Sequence, residues 1–271
     1  MARRKLAELR VVLTGASSGI GYHMALQLVQ SGAHVLATAR REDKLQRLQR
    51  ELADAPGSLS ICPGDITLTS HRLALMDWCQ EHWQSVDVLI NNAGAGAIGS
   101  FANASSDRLR RVMEIDFFAP VELTRTMLPL LRCGMRPAIL NIGSVLGHRA
   151  VPNKSEYCAA KFAMRGWSEA IRVELAPERI EVLMVSPSTT RSEFFDSLLD
   201  TSPENQSRSL GSMSPEAVAR IAIASLVRSK RERIMSFGGR ALVWLGRMFP
   251  SLTDRLLQAS LVRGPSQSPR D

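Results

Sequence analysis

The sequence predicts an α/β fold, in which helices cover both faces of a doubly wound parallel sheet within a single domain. Short β-branched apolar segments alternate along the chain with longer segments of helical apolar spacing. The 271 residues are 45% hydrophobic but only 5% aromatic, as expected for one large domain with an aliphatic core. Because sites in such sheets lie beyond the carboxyl ends of the strands, the residues that follow each strand are the first candidates for function.

The first strand, Arg10–Thr14, runs directly into a glycine-rich turn, Gly15–Gly21. A helical pattern then ends at Gly32, and a second strand, His34–Thr38, follows. This order within about thirty residues is typical of the dinucleotide-binding unit of Rossmann-like folds, where the backbone approaches a pyrophosphate closely. The residues of the turn predicted to contact the cofactor are Gly15, Ser17, Ser18, Gly19, Ile20 and Gly21.

Arg40 stands just after the second strand, nineteen residues past Gly21. An acid near this position binds the ribose of NAD, whereas an arginine binds the 2′-phosphate of NADP. The strand end carries no acid, so NADP(H) is the predicted cofactor and NAD(H) the second choice. The alternative is that Arg40 merely begins the next solvated helix.

Five further strands are predicted: Leu59–Cys62, Val86–Ile90, Ile139–Gly143, Glu181–Val185 and Arg233–Phe237. Asp65, Asn92, Ser144 and Pro187 follow four of them and should meet at one edge of the sheet. Asp65 could accept a hydrogen bond from an adenine amino group, or it could cap the helix that follows.

Two long helices are predicted, over Asp107–Leu131 and Ser155–Leu175. The second carries Tyr157 and Lys161, which lie on one face because they are four residues apart. An ammonium beside a phenol favours the phenolate and lowers its pKa, so the pair could transfer protons near neutral pH. The alternative is an ordinary exposed helix face.

Taken together, the motifs resemble those of the short-chain dehydrogenase/reductase family. The matching residues are Thr14–Gly21, then Asn91–Gly94, then Ser144, and finally Tyr157 with Lys161. Ser144 precedes Tyr157 by thirteen residues, the spacing that the family shows.

The resemblance covers about residues 8–190 and implies a role for each matching side chain. Tyr157 would be the general acid or base, Lys161 would bind the nicotinamide ribose and tune the tyrosine, and Ser144 would polarise the substrate oxygen. It also implies a homodimer or homotetramer acting on a small-molecule carbonyl or alcohol. Further cofactor contacts implied are Asp65, Ile66, Asn92, Ala93, Gly94, Pro187, Thr189 and Thr190.

Two positions depart from the family pattern. Asp116 stands where the family has an asparagine of a proton relay, which places a carboxylate near Lys161 and should weaken the effect of the lysine on Tyr157. Ser188 replaces a glycine after Pro187 and should force a side chain onto a glycine-like backbone. These departures motivate an alternative function, an NADPH-binding regulator or scaffold with weak or no catalysis.

Residues 191–210 are predicted to form a substrate loop. Its apolar side chains, Phe194, Phe195, Leu198 and Leu199, favour an apolar substrate, although they could simply pack the loop against the protein.

The chain is predicted to divide into a catalytic domain (1–237), an amphipathic helical extension (238–263) and a disordered tail (264–271). From Arg228 to Asp271 there are nine Lys and Arg against three acids, so most of the net charge of +8 lies here. Pro250 should break the extension into two short helices. The extension could bind an anionic membrane surface, cover the substrate pocket or form a subunit interface.

Other function classes are not supported by the sequence. No metal-ligand spacing links the four cysteines, which are interpreted as buried thiols of a reducing compartment. No signal peptide or apolar run long enough to span a membrane is present, so a cytoplasmic protein is expected. The basic balance lacks the aromatic interleaving of a nucleic-acid groove.

Overall fold

The computed structural model describes residues 3–188, 190 and 212–262. Its strands are β1 (Arg10–Thr14), β2 (His34–Thr38), β3 (Ser58–Ile61), β4 (Val88–Asn91), β5 (Ala138–Ile142), β6 (Glu181–Ser186) and β7 (Glu232–Ile234). Its α-helices are α1 (Gly19–Gln30), α2 (Glu42–Glu51), α3 (Thr69–His82), α4 (Arg108–Met113), α5 (Ala119–Arg132), α6 (Ser155–Glu174), α7 (Pro215–Val227), α8 (Phe237–Met248) and α9 (Pro250–Val262).

The strands form one parallel sheet in the order β3-β2-β1-β4-β5-β6-β7. The chain builds outward from β1 to β3 and then returns to place β4 beside β1. This reversal opens a crevice between the carboxyl ends of β1 and β4, where ligands of such sheets bind. The predicted doubly wound α/β fold is confirmed.

Alternate residues of β1 divide between two hydrophobic cores, one on each face of the sheet. Val11 and Leu13 pack with Leu28 of α1 and with α7. Val12 points to the opposite face and packs with Leu123 of α5 and with α3. Because both faces are covered, every position of this strand can be apolar, which explains the unbroken apolar run in the sequence.

The helix predicted over Asp107–Leu131 is interrupted by a π-helical turn, Glu114–Phe118, between α4 and α5. A π turn widens the hydrogen-bond spacing and inserts one extra residue into the helix. The insertion changes the direction in which the residues of the turn point, Asp116 among them.

The last predicted strand is shorter than expected, and the extension starts earlier. Strand β7 ends at Ile234, and α8 begins at Phe237 because the Ser236 hydroxyl accepts a hydrogen bond from the Gly239 backbone N–H. The predicted break at Pro250 separates α8 from α9. Three predicted features lie outside the described residues: Thr189, the substrate loop (191–210) and the tail (264–271).

The prediction that all four cysteines are buried was wrong. All four are free thiols, but Cys133 is exposed and Cys62 is half-buried, whereas Cys79 and Cys158 are buried. Cys133 directly follows the last turn of α5, where the chain reaches the surface.

A buried ion pair fixes α4 against the first turn of α6. The Arg108 guanidinium donates hydrogen bonds of 3.1 and 2.7 Å to Glu156 Oε1, and Ser155 donates one of 2.7 Å to Oε2. Burial acts to raise the pKa of Glu156, but the hydrogen bonds from Ser155 and Arg108 outweigh it and hold the pKa below its ordinary value. Because Glu156 directly precedes Tyr157, the ion pair between Arg108 and Glu156 also fixes the turn of α6 that carries Tyr157.

We expect Glu156→Gln to lower the free energy of unfolding by about 3 kcal/mol at neutral pH, because it leaves a buried guanidinium unpaired. A carboxylate with a depressed pKa stabilises the fold above its unfolded pKa and loses this effect as pH falls through its folded pKa. The difference between wild type and variant in urea unfolding should therefore shrink in acid.

Glu122→Gln is the matched control, because Glu122 forms a helical ion pair with Arg125 that is largely exposed. Its cost should stay below about 1 kcal/mol. Equal costs for the two variants would contradict a structural role for the buried pair.

Candidate active site

Helix α6 brings Tyr157 and Lys161 to the same face. Lys161 Nζ lies 5.5 Å from the centre of the Tyr157 ring. Lys161 is only 5% exposed, although lysine side chains are seldom buried. A buried ammonium beside a phenol is not an ordinary solvated helix face, so that alternative is wrong.

Ser144 completes this group from the carboxyl end of β5. Its hydroxyl is hydrogen-bonded to the Tyr157 side chain and also accepts from the Leu146 backbone N–H at 3.1 Å. The turn that follows packs tightly on α6, since a Cβ added to Gly147 would lie 2.6 Å from the Lys161 carbonyl oxygen. The fold therefore assembles Ser144, Tyr157 and Lys161 in one place.

The turn that carries Ser144 is anchored to the end of β6. The Val145 N–H donates to the Pro187 carbonyl at 2.9 Å. His148 is buried, and its Nε2 lies 2.9 Å from the Ser186 hydroxyl oxygen. Sequence reasoning did not identify His148, because a lone histidine in a loop gives no sign of what it contacts.

Asp116 lies against Lys161 from the π-helical turn. The carboxylate is buried, with Oδ1 accepting from the Ala95 N–H at 2.8 Å and Oδ2 lying 3.6 Å from Lys161 Nζ. Oδ2 has no hydrogen-bond donor within reach among the described residues. Burial raises the pKa of Asp116, while the Lys161 charge and the Ala95 hydrogen bond act against that shift.

These surroundings raise the pKa of Tyr157, contrary to the prediction that Lys161 would lower it. Burial is the largest cause, and the negative charge of Asp116 adds to it, whereas the hydrogen bond from Ser144 opposes both. Lys161 lies closer to the Asp116 carboxylate than to the ring centre of Tyr157. Burial therefore sets the direction of this shift, and the Asp116 charge adds to it.

The glycine-rich turn packs directly on the residues that follow β4. Gly15 has a φ of +69°, and a Cβ there would lie 2.8 Å from Ala93 Cα, so a side chain cannot be placed at this position. The Asn92 amide donates to the carbonyls of Thr14 and Gly15 at 2.9 and 3.2 Å. The Asn92 side chain thus holds the shape of the turn, a role that the predicted cofactor contact did not include.

Arg41, the neighbour of the predicted phosphate contact Arg40, contacts the glycine-rich turn. Its guanidinium Nη2 donates to the hydroxyls of Ser17 and Ser18 at 3.1 and 2.5 Å. Arg40 is exposed, as its alternative interpretation as a helix-starting residue allows. Both arginines follow β2, and nothing in the sequence indicates which of them turns back toward the glycine-rich turn.

Asp65 uses one carboxylate oxygen to form a local turn. Oδ1 accepts from the Thr67 N–H at 2.9 Å and from the Thr67 hydroxyl at 2.8 Å. The N-cap of α3 is Leu68, so Asp65 is not the predicted helix cap. Ile66 is buried, and its carbonyl accepts from Arg72 at 2.8 Å.

Ser188 does not adopt the strained backbone predicted for it. The described non-glycine residues with positive φ do not include Ser188. The Thr190 hydroxyl donates to the Ser188 carbonyl at 3.2 Å, and Thr190 pairs with Met213 in an isolated parallel bridge. The chain beyond β6 therefore accommodates this serine without strain.

Among the described residues, no group of three or more His, Cys, Asp or Glu side chains converges in a way that could hold a metal ion.

The fold resembles two solved short-chain dehydrogenases. A Burkholderia phymatum protein, solved in complex with NAD, superposes with a TM-score of 0.81 over 99% of this chain and 100% of its own at 20% identity. One from Burkholderia cenocepacia, in complex with NADP, gives a TM-score of 0.77 over 97% and 100% at 22% identity.

Sequence comparison extends this likeness to curated relatives. The chain is 31% identical to the uncharacterized oxidoreductase YxnA of Bacillus subtilis (strain 168), over 94% of this chain and 73% of the relative. It is 33% identical to the 3-ketodihydrosphingosine reductase of Bacteroides thetaiotaomicron, over 69% and 65%. The model of the short chain dehydrogenase family matches residues 10–203. With that match and the Ser144, Tyr157 and Lys161 group in place, the chain belongs to the short chain dehydrogenase family.

Proposed function

We propose that this protein is an NADP(H)-dependent oxidoreductase that interconverts a carbonyl and an alcohol on an apolar small molecule. The observation that supports it best is the hydrogen-bonded pair of Ser144 and Tyr157, with the Lys161 ammonium 5.5 Å from the tyrosine ring. This group lies at the edge of the sheet that also carries the glycine-rich turn. A hydroxyl pair beside a dinucleotide site suits proton transfer coupled to hydride transfer.

Each side chain has a distinct task in this proposal. Ser144 donates a hydrogen bond to the substrate oxygen and polarises it. Tyr157 gives a proton to that oxygen in reduction and takes one from the hydroxyl in oxidation. Lys161 pairs with Asp116 and binds the nicotinamide ribose. A bound nicotinamide cofactor supplies or accepts the hydride.

The residues present fit a dinucleotide. A Cβ at Gly94 would lie 2.8 Å from Asp116 Oδ1 and 3.5 Å from Lys161 Nζ, so the missing side chain keeps the backbone clear beside the candidate catalytic groups. Helix α1 has no acid in its first turn, which leaves its positive end available to phosphate. The proposed contacts remain the glycine-rich turn, Asp65, Ile66, Asn92, Ala93, Gly94, Tyr157, Lys161, Pro187, Thr189 and Thr190.

NADP(H) is the proposed cofactor because two arginines, Arg40 and Arg41, follow β2 where the 2′-phosphate would lie. Arg41 already contacts both serines of the turn. Since one similar structure holds NAD and the other NADP, likeness does not decide between them, and NAD(H) remains the competing choice.

An apolar substrate is proposed from the composition of residues 191–210 and from one relative. That relative is a 3-ketodihydrosphingosine reductase, a name that denotes a long-chain lipid ketone. A homodimer or homotetramer remains the expected assembly.

A second candidate is a cofactor-binding protein with weak turnover. Asp116 favours it, because the carboxylate competes with Tyr157 for the Lys161 charge. NADPH binding without turnover on a broad carbonyl panel would support this candidate and count against the first.

We expect Tyr157→Phe to lower the rate of ketone and aldehyde reduction by roughly 10²- to 10⁴-fold, because the general acid is lost. NADPH oxidation would be followed with a panel of apolar carbonyl compounds. Tyr22→Phe is the matched control, since Tyr22 is the other of the two tyrosines. Its hydroxyl donates a hydrogen bond to Glu51 on the surface. Full turnover by Tyr157→Phe would show that the assignment is wrong.

We expect Arg41→Ala to weaken NADPH binding by about tenfold or more, because a charge-assisted hydrogen bond contributes roughly 1.5–3 kcal/mol. NADH binding should change little, and Arg40→Asp should shift the preference toward NADH. Thermal stabilisation by each cofactor measures these affinities, because a ligand of the native state raises the unfolding temperature.

Arg50→Ala, in the last turn of α2, serves as the control for this series. If Arg41→Ala weakened the binding of NADPH and NADH equally, Arg41 would only support the glycine-rich turn and would not recognise the 2′-phosphate.

We expect Asp116→Asn to shift the pH profile of alcohol oxidation toward lower pH, by about one unit, equivalent to 1.36 kcal/mol. Oxidation needs a deprotonated Tyr157, and the Asp116 charge raises the pKa of Tyr157. Removing that charge lowers this pKa, so the rising limb of the rate appears in less alkaline solution.

Asp77→Asn, at an exposed position of α3, should leave the profile in place. If the oxidation rate of Asp116→Asn instead rose at higher pH than that of wild type, the Asp116 charge would not be raising the pKa of Tyr157.

A further inference from the structure

Helix α8 exposes large apolar side chains along one face. Phe237 is 80% exposed and Trp244 is 57% exposed, and Met248 is exposed one turn further on. The spacings of seven and four residues place all three on the same side of the helix. The opposite side packs inward through Val243. A helix face of this kind is unusual on a surface that meets only water.

Helix α9 continues the same pattern. Leu252 and Leu256 are exposed and four residues apart, so they share one face. Phe249, between the helices, is exposed, and its ring centre lies 6.0 Å from that of Trp244. We name the resulting patch the docking surface, which comprises Phe237, Trp244, Met248, Phe249, Leu252 and Leu256.

The charged residues among these apolar side chains are basic. Arg240, Arg247 and Arg255 are exposed, each three residues after an apolar member of the docking surface. The guanidinium of Arg240 lies 5.9 Å from the Phe237 ring. The acidic residue in the segment 237–259 is Asp254, and its carboxylate is paired with Arg149.

A basic cavity adjoins this surface at the start of α8. Its volume is about 300 Å³, and its lining includes Lys230, Arg233 and Arg240. Glu232 also lines it but is engaged in an ion pair with Arg165. Anionic groups are therefore the expected neighbours of the docking surface.

We propose that the docking surface binds the protein to the face of an anionic lipid bilayer. Aromatic and aliphatic side chains would enter the headgroup region while the arginines contact lipid phosphates. A second copy of the chain is a poorer occupant, because a twofold contact buries the same surface of both copies and would bring the two sets of arginines together. None of the described helices is long and apolar enough to cross a membrane.

The inner side of α8, opposite the docking surface, packs beside the candidate active site. A Cβ added to Gly239 would lie 2.7 Å from a methyl group of Val145, the residue after Ser144. A cavity of about 430 Å³ separates the loop 149–152 from α9. Docking would thus hold the Ser144 turn near lipid, where an apolar substrate concentrates. This link to catalysis depends on the proposed function, whereas the binding itself does not.

The test is co-sedimentation of the full chain with vesicles. Wild type should bind vesicles that contain phosphatidylglycerol better than vesicles of phosphatidylcholine alone, and added salt should weaken binding. Trp244→Ser combined with Met248→Ser should reduce binding by about tenfold or more. Arg240→Glu combined with Arg247→Glu should abolish the preference for phosphatidylglycerol.

Two substitutions away from the docking surface are the matched controls. Met135→Ser removes an exposed methionine between α5 and β5, and Arg50→Glu reverses an exposed charge on α2. Both should bind like wild type. Thermal unfolding checks that each variant is folded, and the milder Trp244→Phe should remove most of the tryptophan emission shift that vesicles cause in wild type.

The proposal is overturned if wild type does not sediment with phosphatidylglycerol vesicles, or if the docking-surface variants bind as well as wild type. It is also overturned if those variants leave binding intact and convert a dimer to a monomer, because the surface would then join two copies. If Tyr157→Phe loses turnover but binds vesicles like wild type, vesicle binding does not depend on catalysis and the docking proposal is supported. An inactive wild type that still binds vesicles would refute only the proposed enzyme function.

Discussion

The ion pair between Asp116 and Lys161 joins three parts of the chain at the candidate active site. Asp116 belongs to the π-helical turn, and Lys161 belongs to α6. The Ala95 N–H, which donates a hydrogen bond to Asp116, belongs to the segment after β4. A Cβ at Gly94 would collide with the same carboxylate. Both charges are buried, and a buried charge without its partner costs several kcal/mol. Each group is therefore stable only while the other holds its place, which fixes the relative positions of the three segments.

The same pair sets the protonation of the candidate acid. Lys161 Nζ lies 3.6 Å from Asp116 Oδ2, so the two opposite charges attract each other strongly at this buried position. Burial and the Asp116 charge then raise the pKa of Tyr157, and the phenol stays protonated at neutral pH. A protonated phenol can donate its proton to a carbonyl oxygen, as reduction in the proposed reaction requires.

Much of the fold could be predicted because its signals are local. Buried parallel strands are apolar throughout, and the residues that follow them gather at one edge, which predicted the place of Ser144. Helical spacing put Tyr157 and Lys161 on one face of α6, and the family resemblance joined them to Ser144. The π turn around Asp116 could not be predicted, because one inserted residue hardly disturbs an apolar helical pattern. The choice between Arg40 and Arg41 depends on backbone angles after β2, and the pKa of Tyr157 depends on burial, neither of which sequence spacing reveals.

The turn after β5 connects the chemistry to the surface. Ser144 contacts Tyr157 on one side of this turn, while Val145 packs near Gly239 of α8 and Arg149 pairs with Asp254 of α9. Because the turn is short and tightly packed, α8 cannot move far without displacing the residues next to Ser144. The apolar, arginine-bearing face of α8 therefore lies only one packing layer from a candidate catalytic hydroxyl. A lipid surface that held this face would also hold the Ser144 turn, so membrane contact and substrate supply would act on the same few residues.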